Sequence, residues 1–149
     1  IALKGELMKD LLLLYYDSKK HCTIAIDSDG TIYTLPDKPI KWLRRWCVEA
    51  GSSLEGRLEG YRKKMGIIQK PALYVGGYPP WIFIPTVSMD RDDCVYVRAD
   101  RIRKIGNDHG LAVVYFDTGV VYRLLVCARS LRQQRSRSLQ YLKTLICLR

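Results

Sequence analysis

The chain has 149 residues, 48% hydrophobic and 27% charged, a composition that excludes wholesale disorder and suits one domain burying about two thirds of its unfolded surface. Lysine and arginine number 25 against 15 aspartates and glutamates, a net charge of +10 that favours a polyanionic partner. The longest apolar run, Leu11 to Tyr16, has six residues against the ~20 needed to span a bilayer, so no membrane role is expected. No signal peptide is expected from the opening residues, and the start at Ile1 rather than Met is that of a trimmed sequence.

In chain order, Leu-Leu-Leu-Leu-Tyr-Tyr between Asp10 and Asp17 reads equally as a buried strand or as the end of a helix begun near Ile1. Two β-rich runs, Thr23–Ile26 and Thr31–Leu35, flank Asp27-Ser28-Asp29-Gly30 and predict a hairpin. Pro36 and Pro39 end it, and Pro39 suits the first turn of a helix from about Ile40 to Ala50. Gly51, Ser52 and Ser53 then turn the chain: glycine ends one helix and Ser53 caps the next, Leu54 to Met65, with Arg57 about one turn inside. That stretch suits a plain capped helix corner. It equally suits a phosphate-holding loop of backbone N–H groups, hydroxyls and a guanidinium.

Leu54, Leu58, Tyr61 and Met65 form one stripe, with Arg57, Arg62, Lys63 and Lys64 largely off it. Gly66 closes the helix. Lys70-Pro71 leads extended into Ala72–Val75, Gly76-Gly77-Tyr78-Pro79-Pro80 connects it to Trp81–Ile84, and Pro85 marks that strand's end. Asp90, Asp92 and Asp93 form the one acidic cluster, which lacks the glycine and distal glutamate of a calcium loop and reads as solvated. Strands follow at Cys94–Val97 and Asp100–Ile105, the latter carrying Arg101, Arg103 and Lys104. Leu111–Phe116 and Val120–Val126 around Asp117-Thr118-Gly119 make a second hairpin.

A last helix runs from Ala128 or Ser130 to Leu148, with Ser130 as a candidate cap and Leu131, Leu139, Leu142, Leu145 and Ile146 in one arc. Arg135 projects within that arc, so it either snorkels past the core edge or meets a carboxylate or phosphate. No carboxylate side chain follows Asp117, and the last 32 residues hold seven arginines and lysines, among them Arg129, Arg132 and Arg137. The expected architecture is a single α+β domain over 1–149. It has a mostly antiparallel sheet built from hairpins, two central helices around the Gly-Ser-Ser turn and a basic C-terminal helix.

Cys22, Cys47, Cys94, Cys127 and Cys147 show no zinc-ligand spacing and fit small buried thiols in a reducing cytosol. Neither His21 nor His109 sits in a triad-like setting, and no P-loop, dinucleotide fingerprint or His-x-x-x-His occurs, so no enzyme, metal or cofactor is expected. The basic residues suit a solvated face, or a surface neutralising phosphates: Ser52, Ser53, Arg57, Lys63 and Lys64, the Arg101-Arg103-Lys104 strand, and Arg129, Arg132 and Arg137. An RNA- or single-strand-binding module, or a protein-interaction module, would use the same charge with Tyr74, Tyr78, Trp81, Tyr115 and Tyr122 as stacking platforms.

Cys47, the Gly51-Ser52-Ser53 turn and Gly56-Arg57 are followed by Lys70-Pro71, then Ile82-Phe83-Ile84-Pro85-Thr86, then Cys94. With the hairpin from Tyr115 to Tyr122 and Gln134 and Arg137 in the last helix, this ordered set resembles the competence transcription factor family, the ComK-like proteins. The resemblance covers residues 11 to 146 and implies a cytoplasmic, nucleoid-associated activator that binds A/T-rich promoter boxes of double-stranded DNA as a homo-oligomer. Ile84 stands where the family commonly has Phe, and Arg135 where an apolar residue is usual. Some members carry a longer C-terminal tail for adaptor-directed proteolysis. The resemblance implies a proteolytic adaptor as a partner only where that tail is present.

Overall fold

The computed structural model describes residues 10–77 and 79–146, so expectations for 1–9, Tyr78 and 147–149 lie outside it. Its elements are antiparallel strands in two sheets and three helices. β1 (Leu11–Asp17), β2 (Cys22–Asp27) and β3 (Ile32–Pro36) precede α1 (Pro39–Glu49) and α2 (Leu54–Met65). β4 (Leu73–Gly76), β5 (Trp81–Pro85) and β6 (Val95–Arg98) follow. A 3₁₀ turn, Ala99–Arg101, leads into β7 (Ile102–Asp108), β8 (Leu111–Phe116), β9 (Val121–Cys127) and α3 (Ala128–Ile146).

The larger sheet has six strands in the order β3-β2-β1-β6-β5-β4, and the smaller one the order β7-β8-β9. Both faces of the larger sheet are covered. On one, Leu11, Leu14, Phe83 and Tyr96 pack with Trp42, Leu43 and Trp46 of α1 and Leu54 and Leu58 of α2. On the other, Leu13, Ile82, Ile84 and Val97 meet Ile105, Val114, Phe116 and Leu124 of the small sheet and Leu131 and Leu142 of α3. Burial on two faces is why Leu11–Leu14 is apolar without alternation, and it settles that run as a strand.

Local chemistry sets the turns. The Asp27 carboxylate accepts the N–H groups of Asp29 and Thr31, both at 2.9 Å, and the Tyr33 hydroxyl at 3.0 Å, closing the first hairpin. A third hairpin, not anticipated, joins β7 to β8. There the Gly110 N–H donates to the Asn107 side-chain oxygen at 2.6 Å, so Asn-Asp-His-Gly was the available turn signal. Arg101 lies in the 3₁₀ turn rather than in the strand with Arg103 and Lys104. Helix α3 begins at Ala128, which puts Ser130 inside its first turn and not at the cap.

A buried ion pair sits where the chain passes from the large sheet to the small one. Arg98, 1% exposed, donates from Nε to Asp100 Oδ1 at 2.8 Å and from Nη1 to the Leu11 carbonyl at 3.2 Å. Its guanidinium lies 5.2 Å from the Trp81 ring centroid and 5.9 Å from that of Phe83, while Asp100 Oδ1 also accepts the Ile82 N–H at 3.1 Å. One charge pair thereby connects β1, β5 and β6 to the turn that leads into the small sheet.

Of the thiols, Cys22, Cys47 and Cys94 are buried as expected, but Cys127 is exposed at the start of α3. Burial pushes the Cys47 thiol up to about 11. The N–H groups of Ser130 and Arg129 hold that of Cys127 below its ordinary value. Alkylation with iodoacetamide at neutral pH, followed by peptide mass mapping, should modify Cys127 in the folded protein and Cys22, Cys47 and Cys94 only after denaturation. For the junction, Asp100→Ala leaves a buried guanidinium without its counter-charge. Urea unfolding should register a loss of about 3–5 kcal/mol.

Candidate nucleic-acid interface

The Gly-Ser-Ser turn is a fully built helix corner. Gly51 adopts φ 94, its N–H donates to the Val48 carbonyl and that of Ser52 to the Cys47 carbonyl, each at 3.0 Å, which satisfies the end of α1. Ser53, extended at φ −132, accepts the Gly56 N–H on its hydroxyl at 3.0 Å and the Arg57 N–H on its carbonyl at 3.0 Å. Four N–H groups and the Ser53 hydroxyl are therefore engaged within the corner.

Arg57 reaches away from the corner, across β4. Its guanidinium carbon lies 4.7 Å from the Tyr74 ring centroid, and a Cβ on Gly76 would come within 3.4 Å of Nη2 and 2.7 Å of the Ala50 Cβ. The Arg57 Nε is buried with no hydrogen-bond partner, and no carboxylate pairs with this side chain among the described residues. Beside it runs a row of tyrosines between α2 and α3. Tyr61 and Tyr141 are 4.9 Å apart in an edge-on arrangement, and Tyr74 and Tyr141 are 6.5 Å apart. Burial pushes the Tyr61 phenol up to about 12 against the opposing charge of Arg137. Burial likewise raises Tyr141 against the charge of Arg57. Two half-buried arginines thus bracket a tyrosine-floored seam. At its far end the connection after α2 brings Gln69 and Lys70 against Gln133, Gln134 and Arg137 of α3.

The other basic residues fall into different settings. Lys63 is paired with Glu59 at 3.3 Å, and Lys64 is exposed on α2. Arg101 is held by Asp117 at 2.9 Å. Lys104 lies 4.9 Å from the Tyr115 ring centroid on the face of the small sheet turned away from the core, and Arg103 is exposed on the same strand. Arg129 is exposed in the first turn of α3. Arg132 donates to the Ile105 carbonyl at 3.0 and 2.8 Å, and Arg135 to the Ile102 carbonyl at 2.8 Å. Arg135 was expected either to snorkel past the core edge or to meet a carboxylate or phosphate; half-buried, it meets a backbone carbonyl. The structure brings Arg57, Arg137 and Lys70 together along one seam. Lys70, Gln69 and Gln133 were not among the expected contacts, and the Lys70-Pro71 step was the available sequence signal.

Most ring platforms for stacking are already occupied or covered. Trp81 is buried, Tyr74 lies under Arg57, and Tyr115 lies under Lys104; Tyr122 is half-buried, its phenol pushed up to about 12 by burial. The acidic loop is tied up as well: Asp93 with Arg91, Asp92 with Lys38, and Asp90 with the Ser88 hydroxyl. Among the described residues no helix is long and apolar enough to cross a membrane.

Compared with known proteins, the chain matches the sequence model of the ComK protein family over residues 8–146. No curated protein and no solved structure gives a significant match. Since the match spans nearly the whole chain, this protein belongs to the ComK family, a transcription factor family and not an enzymatic one, and its role is competence-transcription-factor-like.

Proposed function

We propose that this protein is a DNA-binding transcriptional activator that holds A/T-rich duplex along the α2/α3 seam, acting in the cytoplasm at the nucleoid. The observation that carries the reading is the pair Arg57 and Arg137, neither with a carboxylate partner among the described residues, on either side of the tyrosine row. A guanidinium partly withdrawn from water and lacking a counter-ion gains most from a phosphate oxygen, which accepts its donors in a charge-assisted pair. Arginine also suits the enhanced negative potential of narrow A/T minor grooves. Exposed Lys64, Arg103 and Arg129, with Lys63 beside Glu59, add long-range attraction, and Ser52 and Ser53 offer further contacts at the helix corner. Arg101 and Arg132, already engaged by Asp117 and the Ile105 carbonyl, contribute charge more than direct hydrogen bonds. Paired promoter boxes would be read by a homo-oligomer.

Fluorescence-anisotropy titrations against A/T-rich duplex, G/C-rich duplex and single strands at two salt concentrations test this. A/T-rich duplex should bind tightest. Arg57→Ala and Arg137→Ala should each weaken binding about tenfold, lower the salt slope by about 1 and leave the fold intact. Unchanged affinity in both variants would sink the seam assignment, and a preference for single strands would favour the RNA- or single-strand-binding reading.

A further inference from the structure

We propose that the small pocket at the end of the seam, where Lys70 meets α3, seats one phosphate group. The pocket has a volume of about 70 Å³ and is lined by Gln69, Lys70, Ser130, Gln133 and Arg137 over a floor that includes Tyr61. That is the space of about two waters, which suits a tetrahedral phosphoryl group and is too small for a nucleobase. No aspartate or glutamate lines it. Neither Lys70 nor Arg137 forms an ion pair among the described residues, so two positive charges converge without a counter-charge.

The surrounding construction holds these groups in place. Gln134, 9% exposed, donates its amide to the Pro85 carbonyl at 2.7 Å and so fixes this face of α3 against the end of β5. Gln133, one residue earlier, also lines the pocket. Lys70 adopts φ 47, a left-handed backbone that is costly for a non-glycine residue, directly before Pro71. The arrangement matches phosphate recognition: cations for charge, amide N–H and hydroxyl donors for the remaining oxygens, and a neutral tyrosine floor. On its other side Lys70 borders a larger open cleft of about 700 Å³ that carries Arg62, Arg91 and Asp90 with the apolar side chains of Ile68, Val87 and Met89; there Arg91 is already paired with Asp93 and Arg62 donates to the Ile68 carbonyl. The smaller pocket, lined by no carboxylate and of the size of one phosphoryl group, is the better-fitting anion site.

The identity of the ligand as a backbone phosphate of the bound duplex rests on the DNA-binding reading above; a free phosphoryl compound has the same chemistry. The experiment has two arms, run on the full chain with Lys70→Met, Gln133→Ala and, as an equal-charge control elsewhere, Lys20→Met. In the first, inorganic phosphate is titrated against chloride at constant ionic strength while the melting temperature is followed. Wild type and Lys20→Met should show a saturable rise that Lys70→Met loses and Gln133→Ala reduces. In the second, duplex binding is measured across salt concentration. Lys70→Met should weaken affinity about three- to tenfold and lower the slope of log K against log salt by about 1, beyond the change in Lys20→Met.

No phosphate-dependent rise in wild type, or a rise that Lys70→Met retains, overturns the seat. A phosphate effect that depends on Lys70, joined to an unchanged duplex slope, overturns the backbone assignment and gives the seat to a free phosphoryl compound. If wild type binds no duplex at all but keeps that effect, the DNA-binding reading fails while the anion site stands.

Discussion

The structure depends on keeping the Arg98 charge satisfied out of water. A guanidinium in the interior is tolerated only with a counter-charge, hydrogen bonds for its other donors and polarisable surfaces on its faces. Asp100, the Leu11 carbonyl and the rings of Trp81 and Phe83 supply all three. Because Asp100 sits in the 3₁₀ turn between β6 and β7, satisfying Arg98 also fixes where the chain leaves the large sheet and enters the small one. The directed bonds of this pair add a geometric constraint at the crossing point to the apolar core that the two sheets share.

That placement matters for the seam. Helix α2 lies over β4, and α3 packs on the small sheet and on the large sheet's facing side, so the separation of Arg57 and Arg137 is set by that shared core, the Gln134–Pro85 bond and the tyrosine contacts. Gly76 lets Arg57 lie close to β4, since a side chain there would collide with Ala50. A basic surface assembled from rigid elements loses little conformational entropy on engaging a polyanion, which flexible lysine tails cannot achieve.

Much of this was legible in the sequence, residue by residue. The Asp-Gly hairpin, the Pro39 helix start, the Gly51 stop, the Ser53 cap and the strand end at Pro85 are all local effects, decided by φ preferences and side-chain hydrogen bonds within a few positions. The division into two sheets was not legible, because strands of either sheet carry the same apolar pattern and only non-local pairing distinguishes them. Charge was the least readable property. Arg132 looks in sequence like the other basic residues of the last helix and only Arg135 stands out in the leucine arc, yet both are bound to backbone carbonyls. The approach of Lys70 to Arg137 likewise depends on how α3 lies across the fold, which no local spacing encodes.

The arginine contacts on β7 have a further effect. β7 is an outer strand of the small sheet, and outer strands expose carbonyls that can recruit another chain into a growing fibril. Arg132 and Arg135 occupy the carbonyls of Ile105 and Ile102 from the flank, which removes these two acceptors from the reach of an added strand. Arg132, which looks from sequence like part of the nucleic-acid surface, and Arg135, which stands out in the leucine arc, thus both cover backbone acceptors of an edge strand.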